Sequence, residues 1–137
     1  QAIKPIKVAT GEMCQNRIIF KQFIQENALD IVQIDSCRIG GLNEILGVLL
    51  LAHKYDKPVW PHAGGVGLCE YVQHIAMIDY LLISCEKNSK RIEYVDHLHE
   101  HFISPCKIQD GNYMAPLEPG FSIEMKNEVL INYLHEK

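Results

Sequence analysis

The chain has no excess of positive charge. Its 13 Lys and Arg stand against 17 Asp and Glu, a formal net charge of -4 at pH 7. Nucleic-acid binding needs a basic face, so no nucleic-acid partner is expected. Long apolar runs are also missing. The longest, ILGVLLLA, falls far short of the ~20 residues that span a bilayer, so no membrane partner is expected. There is no CxxC pair among the five cysteines Cys14, Cys37, Cys69, Cys85 and Cys106, an odd and scattered set. Neither a disulfide framework nor a zinc cage fits that spacing. Reduced, mostly buried thiols in an intracellular compartment fit better. Cys14 and Cys37 follow apolar runs, and neither is expected to be a reactive thiol. No secretory signal is visible. The chain opens on QAIKP, already leading into a strand-like run, and reads as a piece cut from something longer.

What is present is an ordinary globular composition, with 47% hydrophobic and 22% charged residues over 137 positions. That is enough for one domain with a real core. Apolar periodicity alternates between strand and helix. PIKVA (Pro5 to Ala9) predicts a strand and Asn16 to Asn27 a helix, with Ile18, Ile19, Phe20, Phe23 and Ile24 at helical spacing. Leu29 to Ile34 predicts a second strand, and Gly41 to Tyr55 a strongly apolar helix stopped at Asp56-Lys57-Pro58. Pro58 to Trp60 opens a third strand, Leu68 to Ser84 forms another helix, and Arg91 to Val95 predicts a fourth strand. This order means right-handed βαβ units and a parallel sheet covered on both faces. DGNY and LEPGF are turn signals, so Cys106 to Glu124 reads as a loop or hairpin excursion, and Asn127 to His135 as a final helix.

Each predicted strand is followed by, or contains, a polar residue of catalytic type. Glu12 follows the first, Asp35 the second and His62 the third, while Glu93 lies in the fourth. In a parallel α/β sheet the carboxyl ends face one side, and a barrel gathers them around one mouth. A carboxylate near His62 can hold one imidazole tautomer and orient the ring. Glu12 suits a hard divalent cation such as Mg²⁺, though one carboxylate does not hold it firmly.

IKVATGEMCQNR, DIVQIDSCRIGGLNE, PVWPHAGGVGLCE and RIEYVDHLHEHF resemble the closing half of the mandelate-racemase branch of the enolase superfamily. Within that branch they are most similar to the L-fuconate dehydratases and their mitochondrial relatives. The resemblance implies an α/β chain that forms the C-terminal part of a (β/α)8 TIM-type barrel, about strands five to eight. Residues 1–105 would be the barrel half, and residues 106–137 a segment packing back toward a capping domain. The resemblance makes Glu12 a Mg²⁺ ligand, His62 the acid/base catalyst, Asp35 its partner, and Glu93 a hydrogen-bonding group for substrate or intermediate. The implied reaction removes the C2 proton of an L-fuconate-like sugar acid, stabilises the enediolate with Mg²⁺ and expels the 3-hydroxyl. A mitochondrial location also rests on this resemblance alone.

The family's C2 base and its other metal carboxylates precede the matching segment. A whole barrel takes about 250 residues. The chain alone is therefore expected to be inactive, to need the N-terminal half of the same polypeptide as partner, and to self-associate through unpaired sheet edges. A non-catalytic binding or regulatory fragment is the rival reading, and a flavodoxin-like binding domain a weaker one that lacks a phosphate loop. Arg38, before Gly40-Gly41, either meets an anionic substrate or makes a structural salt bridge. Gly64-Gly65-Val66-Gly67 does not match G-x-G-x-x-G and reads as a loop that lets the next helix start close to the site. His97, His99 and His101 with Glu100 lack H-E-x-x-H and read as a solvated face, and Glu70 as a first-turn charge favoured by the helix dipole.

Overall fold

The computed structural model describes residues 3–87 and 90–134. Three segments run parallel in chain order. Strand β1 (Ala9–Thr10) pairs with β2 (Ile31–Val32) in the register Ala9 to Ile31 and Thr10 to Val32. The segment around residues 58–62 lies on the other side of β2, through parallel bridges Val32 to Val59 and Asp35 to His62. Backbone bonds from Val32 N to Pro58 O and from Trp60 N to Val32 O, each 2.9 Å, fasten that second seam. Regular pairing is short, so position is held mainly by what packs behind it.

Helix α1 (Arg17–Gln25) starts where Asn16 Oδ1 accepts from the amides of Ile18 and Ile19, at 3.0 and 3.1 Å. Those are donors a helix start would otherwise leave unsatisfied. Helix α2 (Leu42–Lys54) begins after Gly41, with Glu44 in its first turn and His53 and Lys54 in its last, charges that suit the helix dipole. Phe20 and Ile24 from α1, Ile45, Val48 and Leu49 from α2, and Val32, Ile34 and Val59 from the parallel segments form one buried cluster. Burying each such side chain contributes about 1.5–3 kcal/mol. This cluster is why β2 and the 58–62 segment end side by side with Asp35 and His62 in register.

Helix α3 (Leu68–Ile78) continues into a wider π-helical turn, Asp79–Ile83. Ser84 closes it, its amide and hydroxyl both donating to Asp79 O at 2.8 and 3.1 Å. The helix predicted to run to Ser84 therefore changes pitch at Asp79. A smaller buried cluster, Ala63, Leu68, Cys69 and Val72, joins α3 to the later chain. A 3₁₀ turn, His99–His101, follows, then the hairpin of β3 (Ile108–Gln109) and β4 (Asn112–Tyr113) and helix α4 (Asn127–Asn132). Asp110 and Gly111 both have positive φ, 50° and 74°, the backbone of a tight I′ hairpin turn. The later segment packs back onto α3, with Phe121 5.9 Å from the rings of both Tyr71 and His74. Among the described residues, no helix is long and apolar enough to cross a membrane.

The predicted fourth strand, Arg91 to Val95, is not a strand. Among the described residues it meets the preceding segment through the backbone bond from Glu93 N to Pro61 O at 3.3 Å. The next ladder donor, Ala63 N, is taken instead by the Glu93 carboxylate, Oε2, at 2.9 Å. The Glu93 carbonyl in turn accepts from the Tyr113 hydroxyl at 2.7 Å. Pro61 has no N–H to extend the ladder. Side chains have replaced the backbone pairing a parallel strand needs.

Candidate functional site

Asp35 leaves β2 into a turn that binds its own side chain. Oδ1 accepts from the amides of Cys37 and Arg38 at 2.7 and 3.1 Å, and Oδ2 pairs with Arg38 Nη1 at 3.0 Å. The carboxylate is 2% exposed. Three donors to one buried carboxylate satisfy it and fix its direction. His62 lies opposite in register, its Nε2 3.6 Å from Asp35 Oδ2. That separation is wider than a hydrogen bond.

The firm partner of His62 is Glu93. His62 Nδ1 lies 2.6 Å from Glu93 Oε2, the same oxygen that accepts from Ala63 N. An imidazole facing a carboxylate at that distance donates through Nδ1, which leaves Nε2 facing Asp35. The His62 side chain is 16% exposed, so it is sheltered yet reachable. The sequence reading pairs His62 with Asp35. The structure gives it both carboxylates, with Glu93 the closer.

Arg38 spans the group. Besides its ion pair with Asp35, its Nη1 donates to the Glu12 carbonyl at 3.4 Å. Of the two readings for Arg38, the structure shows the salt bridge, at the rim of the cluster. Glu12 reaches the group by its backbone, while its side-chain Oε2 accepts from Gly11 N at 3.1 Å. Asp35, His62, Glu93 and Arg38 thus come together by side chain, and Glu12 stands beside them.

Two contributors escaped the sequence reading. A Cβ on Gly64 would lie 2.6 Å from His62 Cε1 and 2.8 Å from Nε2, so a glycine there leaves room for the imidazole. In sequence the glycine run is a visible signal, but it points to the start of α3 rather than to the imidazole. Tyr113 sets Glu93 through its carbonyl, and nothing in the local sequence announces that contact. Two readings are corrected. His99 is not on a solvated face, because its ring is 15% exposed and pairs with Glu70. Glu70 does sit in the first turn of α3, but it is fully buried.

The enolase C-terminal domain-like family matches residues 1–129. The chain belongs to that family. It is 57% identical over 134 residues to L-galactonate dehydratase of Hypocrea jecorina, covering 96% of this chain and 29% of that protein. It superposes on the crystal structure of human mitochondrial enolase superfamily member 1 with a TM-score of 0.87 and 58% identity, over 90% of this chain and 28% of the human one. L-talarate/galactarate dehydratase from Salmonella typhimurium LT2, liganded with Mg and L-lyxarohydroxamate, gives a TM-score of 0.72 at 26% identity, over 90% of this chain and 29% of that one. The chain thus spans 28–29% of the length of these three relatives. Its architecture is α/β, a partial fragment of an enolase-superfamily TIM-type barrel on the mandelate-racemase branch.

Proposed function

We propose that this chain is the closing part of a Mg²⁺-dependent acid-sugar dehydratase, a hydro-lyase, with L-fuconate the favoured substrate. The observation that carries the reading is His62, sheltered and held between Glu93 and Asp35 in a chain so similar to an L-galactonate dehydratase. L-fuconate is 6-deoxy-L-galactonate, so the two acids present the same stereochemistry at the reacting carbons. In this scheme a base outside the chain takes the C2 proton. His62 then protonates the departing 3-hydroxyl, giving 2-dehydro-3-deoxy-L-fuconate after tautomerisation. Asp35 and Glu93 hold the imidazole, Glu93 also faces the substrate, and Arg38 offers its positive charge to the sugar carboxylate.

Glu12 fits Mg²⁺ as one oxygen ligand only. Among the described residues, the one group of three metal-type ligands is Cys69, His99 and Cys106, not a carboxylate cage. Glu12 would therefore hold the ion together with ligands from the rest of the polypeptide. When bound, Mg²⁺ would supply charge stabilisation at the substrate carboxylate. We assign residues 1–105 to the barrel half and 106–137 to a segment facing a capping domain. The N-terminal half would seat on this chain, and the whole would lie in mitochondria, as the names of relatives suggest.

The test is dehydration of L-fuconate and L-galactonate, followed as 2-keto acid formed with Mg²⁺. A polypeptide carrying this segment behind its N-terminal barrel half is expected to be active, and the 137-residue chain alone inactive. Keto acid from the chain alone would favour a different catalytic set. No activity in either would leave the rival reading, a non-catalytic binding fragment, which the single Mg²⁺-type carboxylate favours.

Large apolar side chains lie open on this chain, including Leu117, Leu82, Ile131 and Leu134, 92%, 76%, 73% and 75% exposed. Exposed apolar side chains together with unpaired sheet edges favour association. Light scattering of the chain alone is expected to show a mass that rises with concentration. A constant monomer mass would count against the seating proposed for the N-terminal half.

A further inference from the structure

Behind the His62 pair lies a second cluster of chemically active groups. Cys69 Sγ, Cys106 Sγ and a ring nitrogen of His99 all lie within 4.8 Å of one another. His99 Nδ1 is 3.7 Å from Cys106 Sγ and 2.6 Å from Glu70 Oε1. The same Glu70 oxygen accepts from Cys106 N at 3.2 Å. Its other oxygen, Oε2, is fully buried with no hydrogen-bond partner, on a side chain that is itself 0% exposed. A buried carboxylate oxygen with no partner is costly and calls for an explanation such as an ion.

We propose that Cys69, His99, Cys106 and Glu70 form a binding site for a structural zinc ion. Two thiolates, one imidazole and one carboxylate are a zinc donor set, and four protein ligands make a closed, structural site. Tetrahedral zinc with ordinary bond lengths keeps its ligand atoms roughly 3.3–3.8 Å apart. The Cys106 to His99 distance already falls there, the other distances among Cys69, His99 and Cys106 are within 4.8 Å, and the 2.6 Å contact of His99 with Glu70 would open to about 3.3 Å as the ion enters.

The surroundings are those of a metal ligand rather than of a stray histidine. His99 Nε2 lies 2.8 Å from Val95 O, a carbonyl that can only accept, so Nε2 carries a proton and Nδ1 is turned inward. A histidine that ligates metal characteristically donates its other N–H to such a carbonyl. Val95 N in turn points at Cys69 Sγ, at 3.4 Å. On binding, zinc takes the place of the proton shared by His99 Nδ1 and Glu70 and of the thiol protons of Cys69 and Cys106, and these protons pass to solvent.

The site would tie three pieces of chain together. Cys69 lies on α3, His99 in the 3₁₀ turn, and Cys106 just before β3. Cys69 Sγ is also 4.0 Å from Ala63 O, next to His62, so the ion would brace the loop that holds the imidazole.

The experiment uses the chain in reductant, with Cys37 and Cys85, the exposed thiols, replaced by Ser. Cobalt(II) is titrated first, then displaced by zinc. One equivalent is expected to give a sulfur-to-cobalt charge-transfer band and the intense visible bands of tetrahedral cobalt. Cys106→Ser should halve the charge-transfer intensity and weaken zinc at least about 100-fold, more than the 10- to 100-fold loss of an outer partner. His99→Gln should weaken zinc similarly while keeping both thiolates in the spectrum. Saturating zinc should raise the melting temperature of the parent chain by roughly 5 °C or more. Absence of a tetrahedral cobalt spectrum in the reduced parent overturns the proposal, whatever the variants do. So does a band that survives unchanged in Cys69→Ser or Cys106→Ser, or a Cys69–Cys106 disulfide formed in preference to metal uptake.

Discussion

His62→Asn is expected to lower the rate of acid-sugar dehydration by about 10²- to 10⁴-fold, the range for losing a positioned general acid. Such a loss corresponds to about 3–5 kcal/mol of transition-state stabilisation. The assay uses the polypeptide that contains both this chain and the N-terminal barrel half. Asn keeps a donor toward Glu93 Oε2, the oxygen 2.6 Å from His62 Nδ1, so the loop and its Ala63 contact should persist. It cannot deliver a proton to a leaving hydroxyl. Loss should therefore fall on kcat with KM little changed. A second readout separates the two proton transfers. If His62 acts only after the C2 proton has left, His62→Asn should still exchange the C2 hydrogen with deuterium from solvent while forming almost no keto acid. A variant that loses exchange and dehydration together would move His62 to the first step. One that keeps dehydration within tenfold would remove it from the mechanism. Asp35→Asn should cost less, because Asp35 stands 3.6 Å from the ring and is held chiefly by Arg38 and two backbone amides.

The parallel part of this arrangement was legible because its cause is local. Apolar runs such as Leu29 to Ile34 and the amphipathic Asn16 to Asn27 stretch bury themselves by period, and the order of strand and helix forces parallel neighbours. That is enough to place Asp35 opposite His62. Glu93 was legible as a member of the group, but not its bonds to His62 and Ala63. Its side chain competes with its own backbone for Ala63 N, and only the three-dimensional approach of Tyr113 and Pro61 decides that contest. The Cys69, His99 and Cys106 cluster was illegible for a different reason. Zinc spacing in sequence is recognisable when ligands sit on one turn or hairpin. Here they sit on a helix, a 3₁₀ turn and the approach to a hairpin, so the absence of CxxC said nothing about where the thiols meet.

Gly11→Ala is expected to cost about 2–6 kcal/mol, a large part of the 5–15 kcal/mol that holds a typical domain together. Gly11 sits between β1 and Glu12 with φ at 130°, a backbone state that costs other residues about 1–3 kcal/mol. Space is the larger obstacle. A Cβ there would lie 2.5 Å from Phe20 Cε1 and 2.7 Å from Gln33 O. The Phe20 ring is fully buried, and the Gln33 amide is bound to Thr10 O at 3.0 Å, so neither side yields without opening the core or the β1–β2 seam. Overpacking of this kind adds about 1–3 kcal/mol. Gly111→Ala supplies the control, since Gly111 also has positive φ, 74°, but nothing lies within 4 Å of its would-be Cβ. It should lose about 1–2 kcal/mol, the cost of the left-handed backbone alone. Urea unfolding of both variants measures the difference. Equal losses would mean that Phe20 and Gln33 move freely, and that the glycine of the Thr10-Gly11-Glu12 turn is chosen for its backbone rather than for the close approach that sets Glu12 beside Arg38.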